Sequence, residues 1–379
     1  MHCLGLMSGT SADGVDAVLA RFDGSPQHPK WSLLRHHHQP YPLELQQQVV
    51  AAGQGAPMPA SSWLELAEAI TEVQAQAVQA CDPTATAELI GCHGQTVWHR
   101  PPAQGARGAS WQILQAPLLA HLLQKPVVHD FRAADLALGG QGAPLVPRAD
   151  AALLGRTQGW RALLNLGGIA NLTLIPPCGG VDRHAAILGW DCGPANSLID
   201  LGMRQFTNGT QSFDKGGVMA AQGNADEGLI QQWLQEEYFQ LAPPKSTGRE
   251  CFGQADLNRR LRQLGGASAA DAIATLTAFS AAVVAQDLAR LRQSVGIAPI
   301  ELITAGGGSQ NPVLIDELRR RCRGAQIDAS SSLGVPTEAR EALVFALLAW
   351  WHHRGHPGNV PAVTGASREA VLGTRVNPA

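Results

Sequence analysis

Residues 7–16 constrain the fold of this chain most, because they read Met-Ser-Gly-Thr-Ser-Ala-Asp-Gly-Val-Asp between two strand-like runs. An apolar run at residues 3–6 precedes the turn, and residues 15–20 alternate at the period of a strand. Glycines and small hydroxyls expose backbone N–H groups and let an anion approach the chain closely. The segment therefore predicts either a phosphate-binding hairpin or an ordinary polar hairpin closed at Asp13-Gly14.

Two later segments carry glycine turns of the same kind. Residues 162–175 again read as strand, Asn/Gly turn at 165–171, and strand. A predicted strand at 300–304 leads into a glycine turn at 305–311, and a helix follows whose first turn includes Pro312. No Gly-Lys-Ser/Thr follows these glycines, and their spacing is not that of a dinucleotide fingerprint, which disfavours P-loop and Rossmann proteins.

Composition limits the classes of function. A length of 379 residues predicts two domains, and a net charge of −3 argues against nucleic acid and anionic membranes as partners. The apolar run at 342–351 is too short to span a bilayer and predicts a buried helix. Seven scattered cysteines without a Cys-x-x-Cys pair, and no signal-peptide pattern, favour a cytoplasmic protein with reduced thiols.

The pattern along the chain predicts an α/β protein in two parts. Apolar spacing predicts helices at 43–52, 63–80 and 271–293, and the histidines at 36–38 are interpreted as a solvated loop. A glycine-rich segment at 139–144 suggests a nearby boundary. We expect an N-terminal lobe at 1–130 and a C-terminal lobe at 131–379, with the C-terminal segment free to pack back on the first lobe.

Asp191 follows a strand-like run at 185–190 and precedes a Gly-Pro turn and a helix. Such a carboxylate can act as a general base at the end of a strand. It can equally be a helix N-cap, where aspartate is common. Its position between two glycine turns favours the general base.

Taken together, the three turns resemble the two phosphate motifs and the adenosine motif of the sugar kinase, Hsp70 and actin superfamily. This resemblance implies a two-lobed actin-like ATPase fold, in which α/β lobes with similar cores close over ATP.

The resemblance narrows to one family, the anhydro-N-acetylmuramic acid kinases, and covers nearly the whole chain. The strings that carry it, in chain order, are Met7–Asp16, Gly94–Thr96, Asp130–Arg132, Asn165–Asn171, Asp191 with Gly193-Pro194, Pro243–Glu250, Ala274–Thr277 and Thr364–Ser367. Ala12 departs from the larger residue expected there, a change that affects packing more than phosphate geometry.

This resemblance implies a coupled reaction of peptidoglycan recycling. ATP, water and 1,6-anhydro-N-acetylmuramic acid give N-acetylmuramic acid 6-phosphate and ADP, with Asp191 as the base that activates water, and with Mg²⁺ as a cofactor beside ATP. Asp13 and Asp16 are candidates to meet a metal carried by the phosphate. The residues assigned to ATP are Gly9, Thr10, Ser11, Ala12, Asp13, Gly14, Val15, Asp16, Gly167, Gly168, Asn171, Gly306, Gly307 and Gly308.

The same resemblance implies that Thr96, His129, Arg132 and Glu341 contact the sugar. A guanidinium at Arg132 can grip the lactyl carboxylate with two parallel hydrogen bonds, although a surface arginine is the rival interpretation. Glu341 can instead be a carboxylate favoured in the first turn of a helix. Lys215 and Lys245, two of the few lysines, lie in polar strings and receive no role.

Two other functions are compatible with the glycine turns and Asp191. One is an ordinary sugar or acetate-type kinase, in which Asp191 deprotonates a hydroxyl rather than water. The other is a chaperone-like or filament-forming ATPase, which the chain disfavours because no peptide-binding domain follows the third glycine turn. The family also suggests a homodimer.

Overall fold

The chain folds into two units, each with its own β-sheet. The computed structural model describes residues 1–9, 12–103, 106–243, 245–248 and 251–378. Residues 1–154 and 334–379 form the first unit, and residues 155–333 form the second unit.

The first unit begins with three antiparallel strands, and a turn at residues 26–27 joins the second strand to the third. Its elements up to residue 154 are β1 (His2–Ser8), β2 (Gly14–Ser25), β3 (His28–Pro40), α1 (Leu43–Gly53), α2 (Ala60–Cys81), β4 (Leu89–Arg100), β5 (Ala109–Ile113), α3 (Ala116–Leu123), β6 (Val127–His129), α4 (Ala133–Ala137) and α5 (Val146–Leu154). The predicted helix at 43–52 corresponds to α1, and the one at 63–80 to α2.

The second unit is built from the elements β7 (Arg161–Leu166), β8 (Ile169–Ile175), β9 (Leu188–Pro194), α6 (Ser197–Phe206), α7 (Glu227–Trp233), α8 (Glu237–Gln240), α9 (Gln254–Gln263), α10 (Ala269–Val295), β10 (Glu301–Ala305), α11 (Pro312–Arg321) and β11 (Gln326–Ala329). Helix α11 begins at Pro312, as predicted, and Asn311 caps it by accepting the N–H groups of Val313 and Leu314. Ser268 caps α10, which ends at Gly296 in the left-handed conformation.

The last elements return to the first unit: α12 (Arg340–His353), α13 (Pro361–Thr364) and β12 (Thr374–Val376), which pairs with β6. The division thus differs from the boundary predicted at residue 130. The glycines at 139–142, which suggested a linker, form a turn held inside the first unit, because Asp135 accepts the N–H of Gly142 at 2.8 Å.

The two sheets repeat one topology. In the first unit β1 is antiparallel to β2, β2 to β3, and β1 and β4 run parallel, as do β4 and β6. In the second unit β7, β8, β9, β10 and β11 pair in the same way. This duplicated α/β architecture, with a glycine turn after the first strand of each sheet, confirms the predicted fold class.

Helix α12 approaches the first sheet unusually closely at two glycines. Gly5 of β1 and Gly91 of β4 are neighbours across the parallel pair. A Cβ atom on Gly5 would overlap the carbonyl oxygen of Ala342, and one on Gly91 would overlap that of Phe345. Residues 342–351 are all buried, so the predicted buried helix is confirmed.

Helix α10 is the one helix among the described residues that is long and apolar enough to cross a membrane. Its most apolar window is, however, 83% buried within the structure. Its phenylalanine, Phe279, packs edge-on against Trp233 and Phe239 in the core of the second unit. This burial is typical of a core helix.

The histidines at 36–38 were predicted as a loop, and that prediction is wrong. They lie in β3, where His38 is paired with Asp16 and His36 with Val18. An edge strand has polar side chains on its exposed positions, so its sequence carries little of the hydrophobic alternation that marks a strand.

We predict that Gly5→Ala lowers the free energy of unfolding by about 1–3 kcal/mol or more, because the added methyl group forces α12 away from the sheet. Urea denaturation measures this loss. The matched control is Gly53→Ala at the end of α1, where an added Cβ meets nothing within 4 Å. An equal loss in the control would contradict the close-packing explanation.

Candidate functional site

A buried polar network holds the first glycine turn. Ser8 Oγ donates to the carbonyl of Gly14 at 2.8 Å and contacts Gln95 Oε1, and the hydroxyl of Tyr41 lies 3.1 Å from Ser8 Oγ. Gln95 Nε2 donates to the carbonyl of Gly9 at 3.0 Å. Burial raises the pKa of Tyr41, which keeps its hydroxyl protonated as a donor. Gln95 of β4 therefore holds Gly9, and Ser8 of β1 holds Gly14.

Within this turn, Thr10 and Ser11 lie outside the described residues. Ala12 is fully buried at a φ of 52°, so the residue that departs from the family pattern faces the core. A Cβ on Gly14 would come within 2.8 Å of Pro40 Cα, which requires glycine there. Val15 is buried in β2.

Asp16, the last residue of the predicted phosphate segment, faces two histidines. His36 Nε2 and His38 Nδ1 each lie 3.1 Å from Asp16 Oδ1. Among the described residues, no group of three or more His, Cys, Asp or Glu side chains is arranged to hold a metal. Neither Asp13 nor Asp16, the two candidates to meet a metal, belongs to such a group.

Arg132, one of the candidate sugar contacts, makes three hydrogen bonds with its guanidinium. Its Nε and Nη2 donate to His93 Nε2 at 3.2 and 2.9 Å, and its Nη1 donates to the carbonyl of Gly142 at 2.7 Å. His93 Nδ1 lies 2.9 Å from the carbonyl of Gly94, so Nδ1 carries the proton and Nε2 accepts. These contacts hold the guanidinium in one orientation, and the described residues engage three of its five N–H groups.

Electrostatics link Arg132 to Glu341. Burial lowers the pKa of Arg132 to about 10, and the negative charge of Glu341 opposes this decrease. The folding of α12 onto the first sheet thus brings together two predicted sugar contacts that lie 209 positions apart in the sequence.

The other two candidates have different surroundings. Thr96 Oγ1, on β4, accepts a hydrogen bond from Gln112 Nε2 at 3.1 Å. His129 ends β6, and burial lowers its pKa.

In the second unit, the glycine turn between β7 and β8 is held by the start of α6. Asn196 Nδ2 donates to the carbonyls of Leu166 and Gly167, and the N–H groups of Ala195 and Ser197 donate to Gly168. Gly306 has a φ of 80°, and its Cβ would lie 2.7 Å from Asn165 Oδ1. A Cβ on Gly308 would lie 2.8 Å from Leu166 Cβ, whereas Gly307 faces open space. The second and third glycine turns therefore pack against each other.

Asp191 lies in β9, paired with Asn171 of β8. Asn171 Nδ2 donates to Asp191 Oδ1 at 2.8 Å, and Ser246 Oγ and the N–H of Thr247 donate to Oδ2 at 2.9 and 3.0 Å. The backbone carbonyl of Asp191 accepts the hydroxyl of Tyr238 at 2.7 Å. Because Asp191 lies within a strand and its carboxylate accepts from another strand and a loop, it is not a helix N-cap. Asn171, which the sequence assigned to ATP, donates its amide Nδ2 hydrogen to Asp191.

Sequence reasoning missed several residues of these two sites: Tyr41, His93, Gln95, Asn196, Ser246 and Thr247. Some of them lie in or beside the strings that carried the family resemblance, such as His93 before Gly94–Thr96. Their roles, however, depend on partners far away in the sequence, which no local pattern specifies.

A sequence model described as anhydro-N-acetylmuramic acid kinase matches residues 1–378. The chain belongs to the anhydro-N-acetylmuramic acid kinase family. A protein of that name from Synechococcus sp. (strain CC9605) is 90% identical over 379 residues, and one from Synechococcus sp. (strain CC9902) is 70% identical, each covering 100% of both chains. Members of this kinase family thus resemble the chain along its whole length.

Among solved structures, component A of the (R)-2-hydroxyglutaryl-CoA dehydratase of Acidaminococcus fermentans is 12% identical at a TM-score of 0.42. The match covers 92% of this chain and 98% of that one. A likeness this weak carries no functional information.

The neutral state of His93 predicts a dependence of stability on pH. Burial, aided by the charge of Arg132, lowers the pKa of His93 well below 6.5. The unfolded chain therefore binds a proton at this histidine before the folded chain does, and the stabilisation present above about pH 6.5 is lost as the pH falls.

We predict that His93→Gln, whose amide oxygen can still accept from Arg132, loses less stability than the wild type between about pH 7.5 and pH 5.5. Thermal unfolding across this range gives the measurement. An equal loss of stability with falling pH in the two proteins would contradict the assignment of a neutral, buried His93.

Proposed function

We propose that this chain opens 1,6-anhydro-N-acetylmuramic acid with water and phosphorylates O6 with ATP, producing N-acetylmuramic acid 6-phosphate and ADP for peptidoglycan recycling. The observation that carries this proposal is the family match over residues 1–378. The contacts of Asp191 supply the chemical reason, since they present an oriented carboxylate.

Asp191 is the proposed general base. A carboxylate has about four lone-pair positions, and three donors of the described chain occupy one position on Oδ1 and two on Oδ2. A water molecule can therefore donate to the remaining position on Oδ1. Transfer of its proton to Asp191 lets the oxygen attack C1, the bond from C1 to O6 breaks, and O6 becomes the nucleophile for the γ-phosphate of ATP.

ATP is the proposed phosphate donor, bound as its magnesium complex. The segment Gly9–Asp16 and the turns at Gly167-Gly168 and Gly306–Gly308 are its proposed contacts. Phosphoryl transfer depends mainly on positioning and charge neutralisation, and backbone N–H groups of anchored glycine turns contribute to both. Hydrogen bonds hold Gly9 and Gly14, which are described residues of the first segment, and the turn at Gly167-Gly168.

Arg132 is the proposed contact of the lactyl carboxylate, and Thr96, His129 and Glu341 are proposed to contact the rest of the sugar. Among the described residues, His93 and Gly142 engage three N–H groups of the guanidinium, and the other two suit the two oxygens of a carboxylate.

We also propose that the protein is a cytoplasmic homodimer. All seven cysteines are free, which fits a reducing compartment. Light scattering after gel filtration measures the mass of the particle.

Asp191→Asn is expected to reduce sugar phosphorylation at least about 10²- to 10⁴-fold, because the amide cannot accept a proton from water. Mass spectrometry of products in ¹⁸O-water follows the reaction, and in the wild type solvent oxygen should appear on C1. Calorimetric titration with MgATP provides the control, which should be unchanged. Near wild-type turnover by the variant would refute Asp191 as the base, and product without solvent oxygen would indicate an ordinary sugar kinase.

Arg132→Gln is expected to raise the KM for the muramic substrate about 10- to 100-fold through loss of a charge-assisted bidentate contact. The matched substrate is 1,6-anhydro-N-acetylglucosamine, which lacks the lactyl group. The variant should turn over that sugar as the wild type does. An equal loss on both sugars would exclude a specific contact between Arg132 and the lactyl carboxylate.

A further inference from the structure

The buried ion pair of Lys245 and Asp287 lies directly behind Asp191. Lys245 Nζ is 2.8 Å from Asp287 Oδ1, and both side chains are 2% exposed. Removing two charges from water costs several kcal/mol for each ion, and their attraction often does no more than offset that cost. Stability alone therefore gives little reason for a lysine at this position.

Asp287 holds the residues on both sides of Asp191. Its Oδ2 accepts the indole N–H of Trp190 at 2.9 Å, and it accepts a hydrogen bond from the thiol of Cys192. Residues 190 and 192 thus turn toward α10, whereas the carboxylate of Asp191 turns toward Asn171 and residues 246–247. One carboxylate of α10 thereby fixes this stretch of β9.

Lys245 holds the loop that reaches Asp191. Its carbonyl accepts the N–H of Asp191 at 2.9 Å, and the next two residues donate to Asp191 Oδ2. Its ammonium also lies 5.1 Å from the ring centre of Tyr238, whose hydroxyl donates to the carbonyl of Asp191. The side chain of Lys245 is thus anchored in the core while its backbone presents Ser246 and Thr247 to the carboxylate.

We propose that Lys245 and Asp287 are a positioning pair that sets the orientation of the Asp191 carboxylate through residues 245–247 and β9. Neither side chain contacts the reactants, and Lys245 does not bind phosphate. This inference rests on the proposed role of Asp191 as the base, and it gives a function to a lysine that the sequence left unassigned.

The test is the double variant Lys245→Met/Asp287→Leu, which removes both charges at once and leaves neither ion unpaired. The backbone donors and acceptors of residues 245 and 247 remain present. The kcat for the anhydro sugar should fall about 10- to 100-fold, because a displaced base loses its alignment with water. The KM for ATP should stay within about twofold of the wild type, since the pair takes no part in nucleotide binding.

The matched control is Arg161→Met/Glu301→Leu in the same unit. Arg161 and Glu301 form an ion pair at the beginning of β7 and β10, at the ends of these strands opposite to the glycine turns. Arg156, a second partner of Glu301, is 27% exposed, so water can solvate it in the variant. This variant should keep the wild-type kcat. An equal decrease in kcat in the control would show that loss of any ion pair in this sheet suffices, and would overturn the proposal.

A double-mutant cycle with Ser246→Ala separates positioning from general damage. If the pair acts through the loop, Ser246→Ala lowers kcat less in the Lys245→Met/Asp287→Leu background than in the wild type. Full additivity, or an unchanged kcat in the double variant, would overturn the proposal. Should the double variant not fold, Asp287→Asn replaces it in the same cycle, with a smaller decrease in kcat and the same non-additivity expected.

Measuring Asp191→Asn in the same assays separates the hypothesis that Asp191 is the base from the hypothesis that Lys245 and Asp287 position it. If Asp191→Asn retains turnover, the proposed base is wrong. If Asp191→Asn is inactive while Lys245→Met/Asp287→Leu is fully active, the base stands and only the positioning inference fails.

Discussion

The first unit depends on the close contact of α12 with the paired glycines of β1 and β4. With no side chain at Gly5 and Gly91, the backbone of α12 rests directly on the sheet. Through this contact, residues 334–379 pack onto residues 1–154, and the two segments together form the first unit. It also positions Glu341 at the start of α12, where its charge acts on Arg132.

Residues 334–379 also stabilise the surroundings of Arg132, through hydrogen bonds to Asp135. Asn359 and Thr364 donate to Asp135 Oδ1 at 2.8 and 2.7 Å, and Asp135 Oδ2 accepts the N–H of Gly142. The carbonyl of Gly142 in turn accepts from Arg132. Because Asp135 is buried, breaking any of these hydrogen bonds would leave a polar group unsatisfied, and this cost stabilises the chain of contacts.

In the second unit, a strand pair and a buried ion pair orient the carboxylate of Asp191. The register of β8 with β9 sets Asn171 beside Asp191, and the Lys245 to Asp287 contact places Ser246 and Thr247 on the other carboxylate oxygen. In both units a charged group proposed for catalysis or binding is oriented by neighbours that are themselves held in the core. Neighbours that are fixed in the core keep a reactive group within the narrow range of positions that the reaction requires.

Much of the fold is encoded locally and could be predicted. The apolar run of β1, the alternation in β2, the helical spacing in α10 and Pro312 at the start of α11 each reflect short-range rules of backbone geometry. The histidines of β3 were misinterpreted because an exposed edge strand needs no apolar alternation. The glycines at 139–142 suggested a linker, whereas the buried Asp135 holds them as a turn.

The sequence by itself determined that the chain has repeated glycine turns after strands, an aspartate between them and the motifs of one kinase family. Only the tertiary structure decided which side chains support these groups. His93 and Arg132 are 39 positions apart, and Lys245 and Asp287 are 42 apart. Local patterns record periodicity and turn chemistry over a few residues, but the partner of a buried charge is chosen by how the elements pack.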